Sequence, residues 1–167
     1  MRMGIVFTVI DLAFGYHQMR LKIRSRQYTA FRTNNEIYQW KVAPMGLAGM
    51  PGTWTRLMRT TLAKLKFVVV YLDDICIFSP SLTGHYSHIK EVLEVLRTNQ
   101  RYARKSKCTF AKPSVEFLGH IISNKELKVD PRKVAAIASW STPQNAKDLQ
   151  RFIGASWILQ KVYQRLR

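Results

Sequence analysis

Apolar and polar positions along this chain fall into blocks of two different periods. Residues 5–12, Ile-Val-Phe-Thr-Val-Ile-Asp-Leu, form an apolar run rich in β-branched residues, the pattern of a buried strand, and it ends on a carboxylate, Asp11. Gly15 soon afterwards predicts a turn. Between Arg20 and Arg26, basic residues alternate with Leu21, Ile23 and Ser25, which predicts a strand with one cationic face. Tyr28–Phe31 and Ile37–Val42 continue as strands around an Asn34-Asn35 turn. Residues 44–52 form the stretch richest in Gly and Pro, a loop opening into a helix with Pro51 in its first turn. Trp54, Leu57, Met58, Thr61, Leu62 and Leu65 then share one helical face.

Phe67-Val68-Val69-Val70-Tyr71-Leu72-Asp73-Asp74-Ile75-Cys76-Ile77-Phe78 is apolar or aromatic apart from its two adjacent carboxylates. It predicts a hairpin whose tight turn is Asp73-Asp74. An amphipathic helix follows over about residues 83–99, with Ile89, Val92, Leu93 and Leu96 on its buried stripe. Short strands are expected at about 107–111, 115–118 and 120–123, with a turn at Phe117-Leu118-Gly119-His120. Asp130-Pro131 caps a helix running through Trp140, and Thr142-Pro143 opens further helix to the end, with a break expected at Gly154. The architecture expected is α+β.

Composition then sharpens the hairpin. By itself an Asp-Asp pair is equally well a solvent-exposed turn. But the chain holds 27 Lys and Arg against 10 Asp and Glu, a formal net charge of +17. Acid is scarce, and two acids sit side by side in an apolar hairpin, where they repel each other and resist dehydration. A positive partner is called for, and divalent metal ions suit hard carboxylate oxygens. The excess of base points to a polyanionic partner, nucleic acid first. No polybasic block or basic amphipathic helix singles out a membrane surface, and no apolar run is long enough to span one. Met1-Arg2-Met3-Gly4 leads directly into a strand and reads as no signal peptide. Cys76 and Cys108 lie in strand-like settings as buried thiols of a reducing compartment. His85 and His88, with His17, His120 and the cysteines, lack paired zinc-ligand spacing.

Five motifs taken together carry a resemblance. Phe7-Thr8-Val9-Ile10-Asp11-Leu12-Ala13-Phe14-Gly15-Tyr16-His17-Gln18 resembles the first catalytic motif of reverse transcriptases from Ty3/gypsy-type LTR retrotransposons. Thr29-Ala30-Phe31-Arg32-Thr33, Pro44-Met45-Gly46-Leu47 with Pro51, Thr53 and Arg56-Leu57-Met58, then Tyr71-Leu72-Asp73-Asp74 and Phe117-Leu118-Gly119-His120, are similar to that family's later segments, in the same order. The similarity runs from about residue 5 to residue 154.

The resemblance implies a polymerase palm: an antiparallel sheet backed by helices over residues 1–122, with residual fingers strands at about 20–42, then the start of a helical thumb over 123–167. It implies RNA-directed DNA polymerase activity, extending a primer with dNTPs on an RNA or DNA template. Asp11, Asp73 and Asp74 would hold two Mg²⁺ ions (Mn²⁺ as a substitute), the Leu12 carbonyl being a further ligand. Tyr16 would exclude ribonucleotides, or else simply pack. Met45 and Gly46 would lie against the nucleotide and template, and Lys107, or in second place Lys105, would protonate pyrophosphate. Tyr71, Arg56, Arg59 and Phe117, Leu118, Gly119 and His120 would contact nucleic acid, the last four supporting the primer end. Other polyprotein segments (fingers, RNase H, integrase) would be partners, no membrane is involved, and the setting would be cytoplasmic, in a retroelement particle, or nuclear.

Departures accompany the likeness. Only about six residues precede the first motif, where the family carries a fingers segment that clamps the triphosphate. The family's Met-Pro-Phe-Gly is Ala43-Pro44-Met45-Gly46 here, and its Tyr-Tyr-Arg-Arg-Phe becomes Ile158-Leu159-Gln160-Lys161-Val162. The expectation is a palm with part of a thumb from a larger polyprotein or a decayed element. The alternative is a catalytically inactive remnant that binds nucleic acid through charge.

Overall fold

The computed structural model describes residues 5–124, 126–129 and 131–164. Strand β1 (Val6–Asp11) is an interior strand of a four-stranded sheet, and its alternation gives the sheet two different faces. Thr8, Ile10 and Leu12 are buried on one side, whereas Phe7, Val9 and Asp11 look to the other. After β1 comes a 3-10 turn at Gly15–Gln18, then a short helix α1 (Ile23–Arg26) and a second 3-10 turn at Gln27–Thr29. The expected cationic strand over 20–26 is therefore not formed. Its alternation offered no apolar side for a sheet to cover: Ile23 is 81% exposed. Local bonds win instead, from Ser25 N–H to the Lys22 carbonyl, Arg26 Nε to Leu21, and Thr29 Oγ1 to Arg26. The strands expected beyond it shrink to a two-residue pair, β2 (Phe31–Arg32) with β3 (Ile37–Tyr38), joined through Asn34-Asn35.

Helix α2 (Met50–Thr61) starts one residue before Pro51 and buries Trp54 and Met58; Leu62 and Leu65 beyond its end are buried as well. Strands β4 (Val68–Tyr71) and β5 (Asp74–Ser79) form the apolar hairpin, antiparallel throughout. The turn is one residue earlier than expected. Leu72, at φ 50, and Asp73 make the bend, while Asp74 already belongs to β5. Helix α3 (Leu82–Thr98) is capped by Ser81, whose hydroxyl accepts the Gly84 N–H. Its buried face is His85, Val92 and Leu96; Leu93, expected in the stripe, is 42% exposed.

Strand β6 (Thr109–Lys112) completes the sheet order β4-β5-β1-β6. A separate sheet of β7 (Ser114–Phe117), β8 (His120–Ser123) and β9 (Leu127–Val129) covers its second face, Val115 and Phe117 packing with Phe7 and Cys76. β9 was not expected; Ser123 and Glu126 close the β8–β9 hairpin with mutual hydrogen bonds. Helix α4 (Pro131–Ala138) follows, and Asp130, expected as its cap, lies outside the described residues. Helix α5 (Ala146–Gln164) begins after Asn145, which accepts the Asp148 N–H, and it passes through Gly154 without the expected break. Among the described residues no helix is long and apolar enough to cross a membrane.

Two cores result. The larger joins Ile10, Leu12, Ile75 and Ile77 of the sheet to Trp54, Met58, Val92 and Leu96 of α2 and α3. The smaller is Phe7, Cys76, Val115 and Phe117 on the opposite face. Cys76 is buried and Cys108 half-buried, both as free thiols.

Candidate polymerase-type carboxylate site

The register of β1 on β5 decides which acids meet. Val6 lies opposite Ser79, and counting along the ladder brings Asp11 opposite Asp74. Cross-strand partners point to the same face, so this pair shares the side occupied by Phe7, Val9 and Cys76. Asp73 is tied in through its backbone: its carbonyl accepts the Leu12 N–H at 2.9 Å. Asp11 is thereby brought to the same end of the sheet as the adjacent pair Asp73 and Asp74, distant from it in sequence.

Their environments differ. Asp11 and Asp74 line a groove of about 500 Å³ with Val9, Lys107, Thr109, Glu116, Phe117, Leu118 and Gly119. The Phe117–His120 turn forms its wall, with Leu118 at φ 55 and Gly119 at φ 71. Asp73 stands behind it, its carboxylate laid against the Cα of Gly15. A Cβ at residue 15 would fall 1.9 Å from Asp73 Oδ1, so only glycine leaves that carboxylate where it stands. This Oδ1 is buried and has no hydrogen-bond partner. The site residue Gly15, read from the sequence only as a turn former, is thus the seat of Asp73.

The charges register this crowding. Burial raises the Asp73 carboxyl above the ordinary range, and the neighbouring Asp74 and Asp11 raise it further; Trp54 partly offsets them. The Trp54 indole N–H itself is hydrogen-bonded to the Leu72 carbonyl, at 2.9 Å. Asp74 is raised by burial first and by Asp11 second, while Lys107 pulls it down. Lys107 is therefore the cation placed to act on this carboxylate.

Asp11 and Asp74 suit a divalent cation as hard oxygen donors short of positive charge, while Asp73, behind the groove, keeps a buried Oδ1 without a hydrogen-bond partner. Among the described residues, no three His, Cys, Asp or Glu side chains converge tightly enough to hold a metal ion. Asp73, turned onto Gly15, is the one that stands apart from the groove.

Other expected site residues divide between two places. Arg56 and Arg59 line a second groove of about 550 Å³ with Thr55, Thr60, Tyr71 and Leu72, beside the hairpin tip. Tyr16 packs edge-on to Trp54, ring centroids 6.2 Å apart. Leu12 is buried in the larger core. His120 pairs with Phe117 across the turn. Met45 is 72% exposed and Gly46 adopts φ 93 in the loop before α2, and neither lines the carboxylate groove. Sequence reading gave Trp54 to the core, Gln18 to the first motif and Arg101 to a solvated basic run, none of them with a role. Their local signals are an indole on a buried helical stripe, an amide closing the first motif and an arginine in a basic run.

Comparison with known proteins agrees with this fold. Residues 2–122 match the family model "Reverse transcriptase (RNA-dependent DNA polymerase)". The chain is 40% identical over 157 residues to the retrovirus-related Pol polyprotein from transposon 297 of Drosophila melanogaster, covering 93% of this chain and 15% of that protein. It is 32% identical over 158 residues to the transposon Tf2-3 polyprotein of Schizosaccharomyces pombe, covering 93% of this chain and 12% of that protein. The chain thus spans a small part of the relatives it matches. Its fold superposes with a TM-score of 0.86 on a foamy viral protease-reverse transcriptase solved with double-stranded DNA, at 21% identity over 97% of this chain and 31% of that one. A second foamy viral protease-reverse transcriptase, solved with an RNA/DNA hybrid, gives 0.81 at 22% identity, over 96% of this chain and 23% of that one. A family model that matches most of the chain, on an antiparallel sheet of this topology, leaves one conclusion: the chain belongs to the reverse transcriptase family.

Proposed function

We propose that this chain forms the polymerising centre of an RNA-directed DNA polymerase, which extends a primer with dNTPs on an RNA or DNA template. The carrying observation is the cross-strand pairing of Asp11 with Asp74, beside Lys107, in a groove walled by the Phe117–His120 turn. Asp11, Asp74 and the adjoining Asp73 would hold Mg²⁺, or Mn²⁺ in its place, with the Leu12 carbonyl as a further oxygen. A divalent ion bound there supplies charge neutralisation for the phosphates and an acidified primer 3′-hydroxyl. Lys107 donates a proton to the departing pyrophosphate. Leu118 and Gly119 offer a hard, tightly turned surface for the primer end. Tyr16, backed by Trp54, closes the space that a ribose 2′-hydroxyl would need. Met45 and Gly46, exposed ahead of α2, face the nucleotide and template, and Arg56 and Arg59 with Tyr71 take duplex phosphates. The same reading divides the chain into a palm over 1–122 and the start of a thumb over 123–167. It places the chain within a polyprotein of a retroelement particle.

Charge alone favours a second reading, an inactive remnant that binds nucleic acid electrostatically. Primer extension on poly(rA)/oligo(dT), with and without Mg²⁺, separates the two. The polymerase reading requires Mg²⁺-dependent extension that Asp11→Asn and Asp74→Asn abolish while salt-sensitive binding persists. Binding without any extension by the unaltered chain favours the remnant.

A further inference from the structure

The loop that carries Gly15 and Tyr16 is gripped on one side by the segment 101–104. This segment prolongs the β1 ladder past the carboxylate. Arg104 N–H donates to the Asp11 carbonyl at 2.8 Å, Leu12 bridges Ala103, and Ala13 N–H donates to the Tyr102 carbonyl at 2.9 Å. The chain then leaves this ladder, reversing at Phe14, φ 49, and pairs again from Met19, whose carbonyl accepts the Ala43 N–H, with Arg20 bridging Val42. In between, the Gln18 side chain takes over. Its Nε2 donates to the Tyr102 carbonyl and its Oε1 accepts the Tyr102 N–H, both at 2.9 Å. That two-way exchange is what a peptide group gives across an antiparallel pair, so the carboxamide acts as one more rung of the sheet. Nε2 also donates to the Ala13 carbonyl, closing the loop on itself.

The main chain of Gln18 is held by the same segment. Arg101 Nη1 donates to the Gln18 carbonyl, and the Arg101 guanidinium lies 5.6 Å from the centre of the Trp54 ring. Trp54 in turn meets Tyr16 and donates to the Leu72 carbonyl in the hairpin turn. Gln18 is thereby fixed at both its ends, and the short turn Gly15–Gln18 has little freedom left. Gly15 is pressed to the Asp73 carboxylate at one side of that turn, and Tyr16 to Trp54 at the other.

We infer that Gln18 and Arg101 are positioning residues, a clasp that sets where Gly15 and Tyr16 stand relative to Asp73 and so governs sugar selection at the nucleotide site. The link to sugar selection rests on the polymerase reading; the clasp itself does not. Neither residue lines either groove, so each acts through Gly15, Tyr16 and Trp54.

Two measurements on the purified chain test this. Amide hydrogen exchange compares the unaltered protein with Gln18→Met, which keeps length but offers no two-way exchange, and with Arg101→Leu. Exchange at Ala13 and at Leu12, the donor to Asp73, is expected to quicken by about tenfold or more, one lost hydrogen bond's worth of local opening, while Ile10 and Ile75 stay slow. Arg101→Lys, which keeps a donor, recovers part of the protection. Primer extension then compares dNTP with rNTP. Gln18→Met is expected to lower discrimination by about tenfold, through a lower KM for rNTP more than a change in kcat for dNTP. Unchanged exchange at Leu12 and Ala13 overturns the clasp. Quickened exchange with unaltered discrimination overturns its connection to the sugar. No extension by the unaltered chain counts against the polymerase reading and the sugar link together, and the exchange arm still decides the clasp.

Discussion

Alanine at residue 15 is a small change with a large collision. Its Cβ would lie 1.9 Å from Asp73 Oδ1, 2.6 Å from Cγ and 3.0 Å from Oδ2. All three atoms belong to one carboxylate, so Asp73 has to turn away from its seat. Gly15 is not among the positive-φ residues, and alanine therefore meets no backbone strain there. Overpacking of this kind costs about 1–3 kcal/mol, and the stiffer unfolded chain returns about 0.4–1 kcal/mol. The expected net loss is between about 0 and 2.6 kcal/mol. The lower half is favoured because Asp73 Oδ1 has no hydrogen bond to lose. Urea unfolding of four proteins measures it: the unaltered chain, Gly15→Ala, Asp73→Ala and the double variant. Asp73→Ala removes every atom the new Cβ would strike, so in that background Gly15→Ala should cost nothing or stabilise slightly. A coupling of about 1–2 kcal/mol between the two sites is expected, as for residues in direct contact. Primer extension should be lost in Gly15→Ala and not regained in the double variant, since Asp73 is then absent. Equal cost of Gly15→Ala in both backgrounds would refute the seat of Asp73 on this glycine.

The crowded acids make stability depend on pH and on divalent ions. Asp73 and Asp74 both titrate above the ordinary range, so each binds its proton more tightly folded than unfolded. Their contribution is therefore intact below the unfolded carboxylate pKa and is lost as pH rises through the folded one. Asp73→Asn should raise the melting midpoint at pH 7 by a small amount, under about 1 kcal/mol for a partly solvated group, and the gain should vanish at pH 3. Mg²⁺ should raise the midpoint of the unaltered chain at pH 7 more than that of Asp11→Asn, read by thermal unfolding. Trp54→Phe keeps the contact with Tyr16 but deletes the donor to the Leu72 carbonyl; it should cost about 1–3 kcal/mol in urea unfolding. His85 bridges Thr8 at 2.7 Å and Ser79 at 2.6 Å inside the protein, and burial with His88 nearby lowers its pKa. Such a histidine stabilises the fold above its unfolded pKa, near 6.5, and the stability falls as pH drops below that value. His85→Asn should flatten this decline between pH 6.5 and 5, at a lower overall midpoint.

Much of the fold was written locally. The apolar run before Asp11, the 67–78 hairpin, the stripe from Trp54 to Leu65 and the turn at Leu118-Gly119 were each readable because a period or a turn residue announces them within a few positions. The misreadings share a cause. Residues 20–26 alternate like a strand but had no face to bury, and Leu93 keeps helical spacing yet falls on a side of α3 where it stays 42% exposed. β9 has only three residues and exists through its pairing with β8. In each case the outcome depended on a neighbour distant in the chain.

The candidate site divides the same way. That Asp11, Asp73 and Asp74 are exceptional could be seen from scarce acid in apolar surroundings and from the order of the motifs. Which of them face each other could not, because side chains alternate along a strand and a shift of one residue in register exchanges the two faces. Long-range pairing of β1 with β5 set Asp11 against Asp74, and the bend at Leu72 left Asp73 behind, resting on Gly15. Composition and motif order were enough for the family and the kind of chemistry. The roles of Gly15, Gln18, Trp54 and Arg101 came only with the folded chain, since each is defined by contacts with residues dozens of positions away.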